Sequence, residues 1–274
     1  MRLTCLVDNG VQAGSSLWGE HGLSFLIETD AGNVLWDTGR SGTVLAHNLR
    51  ALRLDGVRLA AIALSHAHDD HTGGLEAALE MFPGVPVYAH TDLFQERFSR
   101  REQDARAVGM RLTRHELEQR TALYLSDDPQ EIVPGVWTTG GIHHRPYPQG
   151  SSPHHFVWQG DELVSDTYAD DLSLVLLPEG SGAALLTGCS HAGLRNIMET
   201  AHKITRDSLS VIVGGTHLGG VTLGELSAIL AAFERENNPA LYLNHCTGDA
   251  ALFSLREALG RHVHSCPAGT VIQL

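Results

Sequence analysis

Leu59-Ala60-Ala61-Ile62-Ala63-Leu64-Ser65-His66-Ala67-His68-Asp69-Asp70-His71-Thr72-Gly73-Gly74 decides how this chain is read. Its first half is an apolar run of the length and composition of a strand buried on both faces. Its second half sets His66, His68, Asp70 and His71 close together, followed by two glycines and a helical stretch. A core strand emptying into imidazoles and carboxylates on a tight loop holds them on a rigid frame. Zinc and its neighbours need that convergence of nitrogen and oxygen donors. A solvated His-rich loop would share the composition but would not need the buried strand in front of it.

Four other strand ends repeat the pattern. Leu35-Trp36 runs into Asp37-Thr38-Gly39, and Ala184-Leu185-Leu186-Thr187-Gly188 into Cys189-Ser190-His191. Val211-Ile212-Val213-Gly214-Gly215 runs into Thr216-His217, and Leu241-Tyr242-Leu243-Asn244 into His245-Cys246-Thr247-Gly248. One histidine after a strand is ordinarily a hydrogen-bonded core residue. A series of strands delivering His, Cys or Asp to one sheet edge is more specific, and the chain has 17 histidines to supply it.

Composition narrows the function classes. With 274 residues, 42% of them hydrophobic, the chain can bury a sizeable core. A formal charge of −13 disfavours nucleic acid as a partner. The basic cluster from Arg97 to Arg120 is interleaved with Glu102, Asp104, Glu116 and Glu118, and reads as a solvated helix face. Cysteines 5, 189, 246 and 266 form no C-x-x-C pair and read as reduced thiols. No apolar stretch approaches the ~20 residues of a membrane span. Asp8 comes too early for a signal peptide, so the expected location is cytoplasmic. The expected partner is a small-molecule substrate, with no nucleic acid and no membrane, and a homo-oligomer left open.

Strands are expected at 3–7, 22–29, 33–37, 86–89, 123–134 and 136–139, with helices at 43–54 and 75–82. Residues 91–120 read as helical and partly exposed, and 142–155 as an irregular loop, either a lid or plain surface. A hairpin at 172–177 and 183–187 is followed by helix 191–205, strand 209–213, helix 223–236, strand 240–244, helix 249–259 and strand 270–273. Thr222 and Glu225 form a capping box for the second of these helices. Hairpins first and strand–helix alternation later predict an α/β (α+β) chain of two mixed β-sheets flanked by helices. No linker is visible. The expectation is a single domain over 1–274, with a charged helical and loop insertion at about 91–156.

His66-x-His68-x-Asp70-His71, with Asp37-Thr38-Gly39 upstream, resembles the metallo-β-lactamase superfamily. Thr187-Gly188-Cys189-Ser190-His191-Ala192-Gly193, Gly214-Gly215-Thr216-His217-Leu218 and Asn244-His245-Cys246-Thr247-Gly248 resemble one branch of it. That branch is the 7,8-dihydropterin-6-yl-methyl-4-(β-D-ribofuranosyl)aminobenzene-5′-phosphate synthase-like metal-dependent hydrolases. The resemblance implies a four-layer αββα sandwich with a one- or two-metal site. Two divalent ions are expected, zinc favoured over manganese or iron because the donors are His-rich with a thiol within reach.

By the same resemblance, His66 and His68 hold one metal, and Asp70, His71 and His245 the second. The superfamily often has a bridging Asp where this chain has Cys189, with His191 two positions on. His191 is the preferred ligand; Cys189 is either a thiolate ligand or a small core residue. Asp37 either hydrogen-bonds a ligand imidazole or caps a turn. Asp70 orients a metal-activated hydroxide. His217 donates a proton or stabilises an oxyanion, unless its hydrogen bond is structural. Backbone N–H groups at Ser190, Thr247 and Gly248, read as helix starts, receive a phosphate. The branch usually has an acidic residue where Gly141 stands, which makes His143 and His144 either substitute ligands or lid residues. The implied function is a metal-dependent hydrolase or related synthase acting on a phosphorylated, pterin- or ribosyl-type small molecule. The alternatives are a hydrolase of a lactone or thioester, and a di-iron redox protein.

Overall fold

The computed structural model describes residues 1–102 and 104–274. The chain begins β1 (Arg2–Val7), β2 (Ser24–Glu28), β3 (Asn33–Trp36), α1 (Gly42–Ala51), β4 (Leu59–Ala63), the single turn α2 (Asp69–Thr72), α3 (Leu75–Met81) and β5 (Val87–Ala89). It continues through β6 (Arg97–Arg101), β7 (Asp104–Ala107), α4 (Arg114–Glu118), β8 (Leu123–Leu125), β9 (Glu131–Val133) and β10 (Val136–Thr138). Then come β11 (His155–Gln159), β12 (Glu162–Ser165), β13 (Ser173–Leu176), β14 (Ala183–Thr187), α5 (Leu194–Ile204) and β15 (Leu209–Gly214). The chain closes with α6 (Leu223–Arg235), β16 (Ala240–Leu243), α7 (Asp249–Leu259), β17 (Val263–Ser265) and β18 (Val271–Gln273).

Two seven-stranded sheets run β18-β1-β2-β3-β4-β5-β8 and β17-β16-β15-β14-β13-β10-β9. Each is antiparallel where hairpins build it and parallel where helices cross over, from β3 to β8 and from β14 to β17. Strand alternation sorts the side chains into three cores. Phe25, Ile27, Val34 and Trp36 meet Leu174, Leu176, Leu186 and Val213 between the sheets. Leu26, Leu35 and Ile62 turn outward onto Leu45, Leu49 and Leu75 beneath α1 and α3. Leu185, Ile212 and Leu241 pack on Ile197, Ile229, Phe233 and Leu255 of α5, α6 and α7. Three cores between four layers make the αββα sandwich. The Trp36 indole N–H donates to the Thr187 carbonyl at 3.4 Å, tying the two sheets together.

The 91–120 stretch departs from the helical expectation. A 3₁₀ turn (Thr91–Phe94) leads into the hairpin β6–β7, and among the described residues of this stretch only Arg114–Glu118 is α-helical. β6 pairs with β11 (Ser99 opposite His155), giving an accessory sheet β12-β11-β6-β7. Local charge spacing suggested a helix, but the pairing partner lies more than 50 residues downstream, where no periodicity reports it. Arg97, read as part of a solvated face, is buried against Asp166 (3.1 Å) and Asp170 (2.7 Å). The irregular loop ends at 154, because His155 already belongs to β11.

Candidate metal centre

The parallel strands β4, β14, β15 and β16 all end on the same edge of the sandwich, the usual place for a site in such sheets. After β4 come His66 and His68, and α2 then turns Asp70 and His71 back toward them. After β14 come Cys189 and His191, after β15 His217, and after β16 His245. The loops meet backbone to backbone, which explains their glycines. A Cβ on Gly188 would lie 2.3 Å from Ser65 Oγ, and one on Gly215 2.4 Å from the Gly188 carbonyl. Asp37, Ser190, His217 and His245 all sit at positive φ, between 49° and 59°. Such backbone costs on the order of 1–3 kcal/mol per residue and concentrates at functional sites.

Hydrogen bonds fix which nitrogen each histidine presents. Asp37 accepts from the Ser65 N–H (2.7 Å) and the Ser65 hydroxyl (2.8 Å), and its Oδ2 lies 2.7 Å from His71 Nδ1. With its hydroxyl proton given to Asp37, Ser65 accepts from His66 Nδ1 (2.8 Å). His191 Nδ1 donates to the Gly150 carbonyl (2.9 Å), and His245 Nδ1 to Asn9 Oδ1 (3.0 Å). All four rings therefore turn Nε2 inward, the nitrogen each would offer a metal. His68 is reversed, its Nδ1 lying 3.0 Å from His66 Nε2.

Three donor groups result, each with its ligand atoms within 4.8 Å of one another: His66–Cys189–His191, His71–Cys189–His245 and His21–Asp70–His245. Cys189 belongs to two of them, with its Sγ 3.2 Å from His71 Nε2. Cys189 and His191, competitors for one place in the sequence, therefore reach the cluster together. Asp70 Oδ2 lies 3.1 Å from His21 Nε2, 3.4 Å from His245 Nε2 and 3.9 Å from His71 Nε2. Burial works against the Asp70 carboxylate, but His71, His21 and His245 hold it well below the usual carboxylate range. Burial holds His66, His68 and His191 well below the ordinary imidazole value, so they are neutral donors. Burial also opposes charge on His71, but Asp37 and Asp70 carry it up to about 9. Burial pushes the Cys189 thiol up, a tendency that a bound cation reverses.

The residues fit a metal pair. Nε2 of His191 and His245 are buried and have no hydrogen-bond partner. Nε2 of His68 is likewise buried without a partner, while its Nδ1 lies within hydrogen-bond distance of His66 Nε2.

Consecutive aspartates hold the ligand loops. Asp170 Oδ2 accepts the Ala67 N–H, between His66 and His68, and Asp171 Oδ2 accepts the Ala192 N–H, beside His191 (both 2.7 Å). Tyr168 stacks on His191 at 4.1 Å, and its hydroxyl lies 3.0 Å from His155 Nδ1. The cavity over the donors, about 120 Å³, is lined also by His21, Arg40, Arg106, His155 and His217. Sequence reading missed His21, Arg40, Arg106, His155, Tyr168, Asp170 and Asp171. Arg40 stands just past the Asp37-Thr38-Gly39 strand end, but an arginine there carries no ligand signal; the others follow no core strand, so the pattern that found the ligands does not point to them.

Of the two helix starts expected to receive an anion, Gly248 does cap α7, but the one at Ser190 is displaced. Ser190 lies before the helix, which starts at Leu194 behind Gly193, and its hydroxyl donates to the Gly215 carbonyl. Thr247 Oγ1 accepts the Thr216 N–H, and Thr247 and Gly248 line a neighbouring cavity with Asp8 and Asn9. His143 opens onto a further cavity with His90 and Asp127, and His144 is exposed on the same loop, so neither replaces a ligand. The 142–154 loop is pinned by Asn196, which brackets Tyr147 with two 3.0 Å hydrogen bonds.

Residues 17–165 match the family model of the metallo-beta-lactamase superfamily. The 7,8-dihydropterin-6-methyl-4-(beta-D-ribofuranosyl)-aminobenzene-5'-phosphate synthase of Methanocaldococcus jannaschii is 25% identical, over all of this chain and 96% of its own. An uncharacterized protein of the same organism is 29% identical over 92% of this chain and 93% of its own. A crystal structure of a metal-dependent hydrolase of the beta-lactamase superfamily superposes with a TM-score of 0.84 at 27% identity, covering 100% of this chain and 99% of the other.

Proposed function

Because the chain belongs to the metallo-beta-lactamase superfamily, we propose that it is a two-metal hydrolase, or a synthase of related chemistry, acting on a phosphate-bearing small molecule of pterin or ribosyl type. The observation that carries this reading is Cys189 standing between the His66–His191 and His71–His245 donor groups. His66, His68 and His191 would hold one ion and Asp70, His71 and His245 the other, with Cys189 shared. Five imidazoles, one carboxylate and one thiol suit zinc better than iron or manganese. Divalent cations held there supply a water of lowered pKa and neutralise charge on the oxygens of a displacement.

The remaining roles fall to the cavity walls. Arg40 and Arg106 bring guanidinium groups to the mouth of an otherwise acidic molecule, which favours an anionic substrate. His155 is oriented by Tyr168 and lies beside His68. His217, its ring 4.7 Å from that of His191, is kept neutral by burial and is placed to give a hydrogen bond to a developing oxyanion. The M. jannaschii relative's name specifies a ribofuranosyl aminobenzene phosphate product, which agrees with a phosphate in this cavity.

The test is metal analysis of protein purified without added metal, followed by a panel of phosphomonoester, phosphodiester, lactone, thioester and β-lactam substrates. Bound zinc with phosphoester turnover is expected. Stoichiometric iron with oxygen consumption overturns the reading, and turnover confined to lactones or thioesters overturns the phosphate part of it. His68→Ala should lose metal and activity together, whereas His217→Ala should keep metal and lose about 10²-fold or more in rate.

A further inference from the structure

A second cavity, of about 170 Å³, opens on the far side of His217, between the 148–150 loop, the start of α5 and the inner face of α6. His217 is common to its lining and to that of the donor cavity. A Cβ on Gly150 would stand 2.8 Å from His217 Cβ, so the loop is pressed against this histidine and makes it the partition between the two spaces.

The second cavity is apolar in effect as well as in composition. Leu194, Leu218, Val221, Ala228 and Ile229 supply its walls. Most of the polar side chains among the lining are committed elsewhere. Thr216 hydrogen-bonds Thr247, Glu225 caps α6 through Thr222, and Gln149 accepts from Arg145, while Arg195 lays its guanidinium 3.7 Å over the Tyr147 ring and leaves its Nε unpartnered. A ligand group inside would meet hydrocarbon over most of the wall, with one imidazole edge and the Arg195 side chain as its polar exceptions. A polar heterocycle would leave most of its ring nitrogens without partners, at a cost of about 1–3 kcal/mol each. An apolar group pays no such cost, and an apolar cavity of about 150 Å³ accepts a benzene ring.

We infer that this cavity is a substrate subsite for one apolar group, a phenyl ring or a branched chain of similar bulk, carried by the same molecule whose anionic end lies over Cys189. The inference rests on the proposed function and sharpens it: the substrate is amphipathic, with its reacting bond beside His217 and its hydrocarbon part beyond it.

The test is calorimetric affinity of the metal-loaded protein for phenyl-, benzyl- and phenethylphosphonate against methylphosphonate, with phenylacetate against acetate as a second anion pair. The best aryl phosphonate should bind roughly ten- to a hundredfold more tightly than methylphosphonate, the worth of burying one ring. Ala228→Phe, and separately Val221→Trp on the loop before α6, fill the space and should bring the aryl-to-methyl ratio close to one. Equal affinities within both anion pairs in the native protein, or an aryl preference that survives in both variants, would overturn the subsite. An aryl preference seen only in the carboxylate pair keeps the subsite and removes phosphate from the proposed function. No aryl preference in either pair removes the subsite, whatever the panel of substrates shows.

Discussion

Four of the ligand imidazoles face inward with Nε2 because each Nδ1 is engaged by an oxygen, on Ser65, Asp37, Gly150 or Asn9. Cys189 has no such bond to orient it, and its place between two donor groups gives it its role. Cys189→Asp should retain both ions, since a carboxylate can bridge, while Cys189→Ala should bind one ion or fewer; metal content after gel filtration distinguishes them. Two ions retained in the Ala variant would make Cys189 a packing residue. Asp171 offers a test of the supporting carboxylates. Burial raises it to about 7, and the nearby Asp170 adds to the effect. Its folded value lies above its unfolded value, so between pH 4 and 7 the folded state holds the extra proton and stability falls as pH rises. In metal-free protein this slope should amount to roughly 3–4 kcal/mol in total and flatten above about pH 7. Asp171→Asn should remove it in urea titrations run across that range, and an unchanged slope would place the proton elsewhere. Asp37 and Asp70 were legible because they adjoin strands of obvious pattern. Asp170 and Asp171 precede β13 in an irregular stretch, and only their bonds to Ala67 and Ala192 reveal what they do.

At the scale of elements, periodicity found what local chemistry controls. α7 occupies Asp249–Leu259 as expected, and α6 begins behind the Thr222–Glu225 capping box that marked it. The accessory sheet was missed because β6 joins β11 across more than 50 residues, and the charges of β6 and β7 read as a helix face while β11 lies next to the irregular loop. That sheet is anchored to the site through one side chain. Arg97 of β6 pairs with Asp166 and Asp170, and Asp170 in turn holds the Ala67 N–H within the ligand loop. Removing a buried partner leaves carboxylates uncompensated, so Arg97→Met should cost about 3–5 kcal/mol in denaturant unfolding. It should also speed exchange of the Ala67 amide, because the carboxylate that holds it loses its own anchor. A loss under about 1 kcal/mol would show that the accessory sheet is held by its strand pairing alone.

For the whole molecule, the decisive fact is that the donors come from both halves of the sandwich. His66, His68, Asp70 and His71 follow β4 of the first sheet; Cys189, His191 and His245 follow β14 and β16 of the second. The fold class was readable because strand alternation and crossover helices are written in hydrophobicity, and the shared edge follows from them. The meeting of the two halves was readable only as a count of strands that end in ligands. Ions held at that edge would link the sheets, as Trp36 does within the core. Without them, the buried Nε2 atoms of His191 and His245 have no hydrogen-bond partner. Metal binding should therefore appear as folding stability. With free metal at a thousandfold its dissociation constant, the gain is about 4 kcal/mol for each ion bound only by the folded state. For a chain of this size that corresponds to roughly 10 °C in Tm. Scanning calorimetry before and after chelation, with metal content measured on the same samples, should show a drop of that order that is restored by adding zinc back. An unchanged Tm in protein shown to have lost its metal would mean that the ions are held within one sheet's loops and do not join the two.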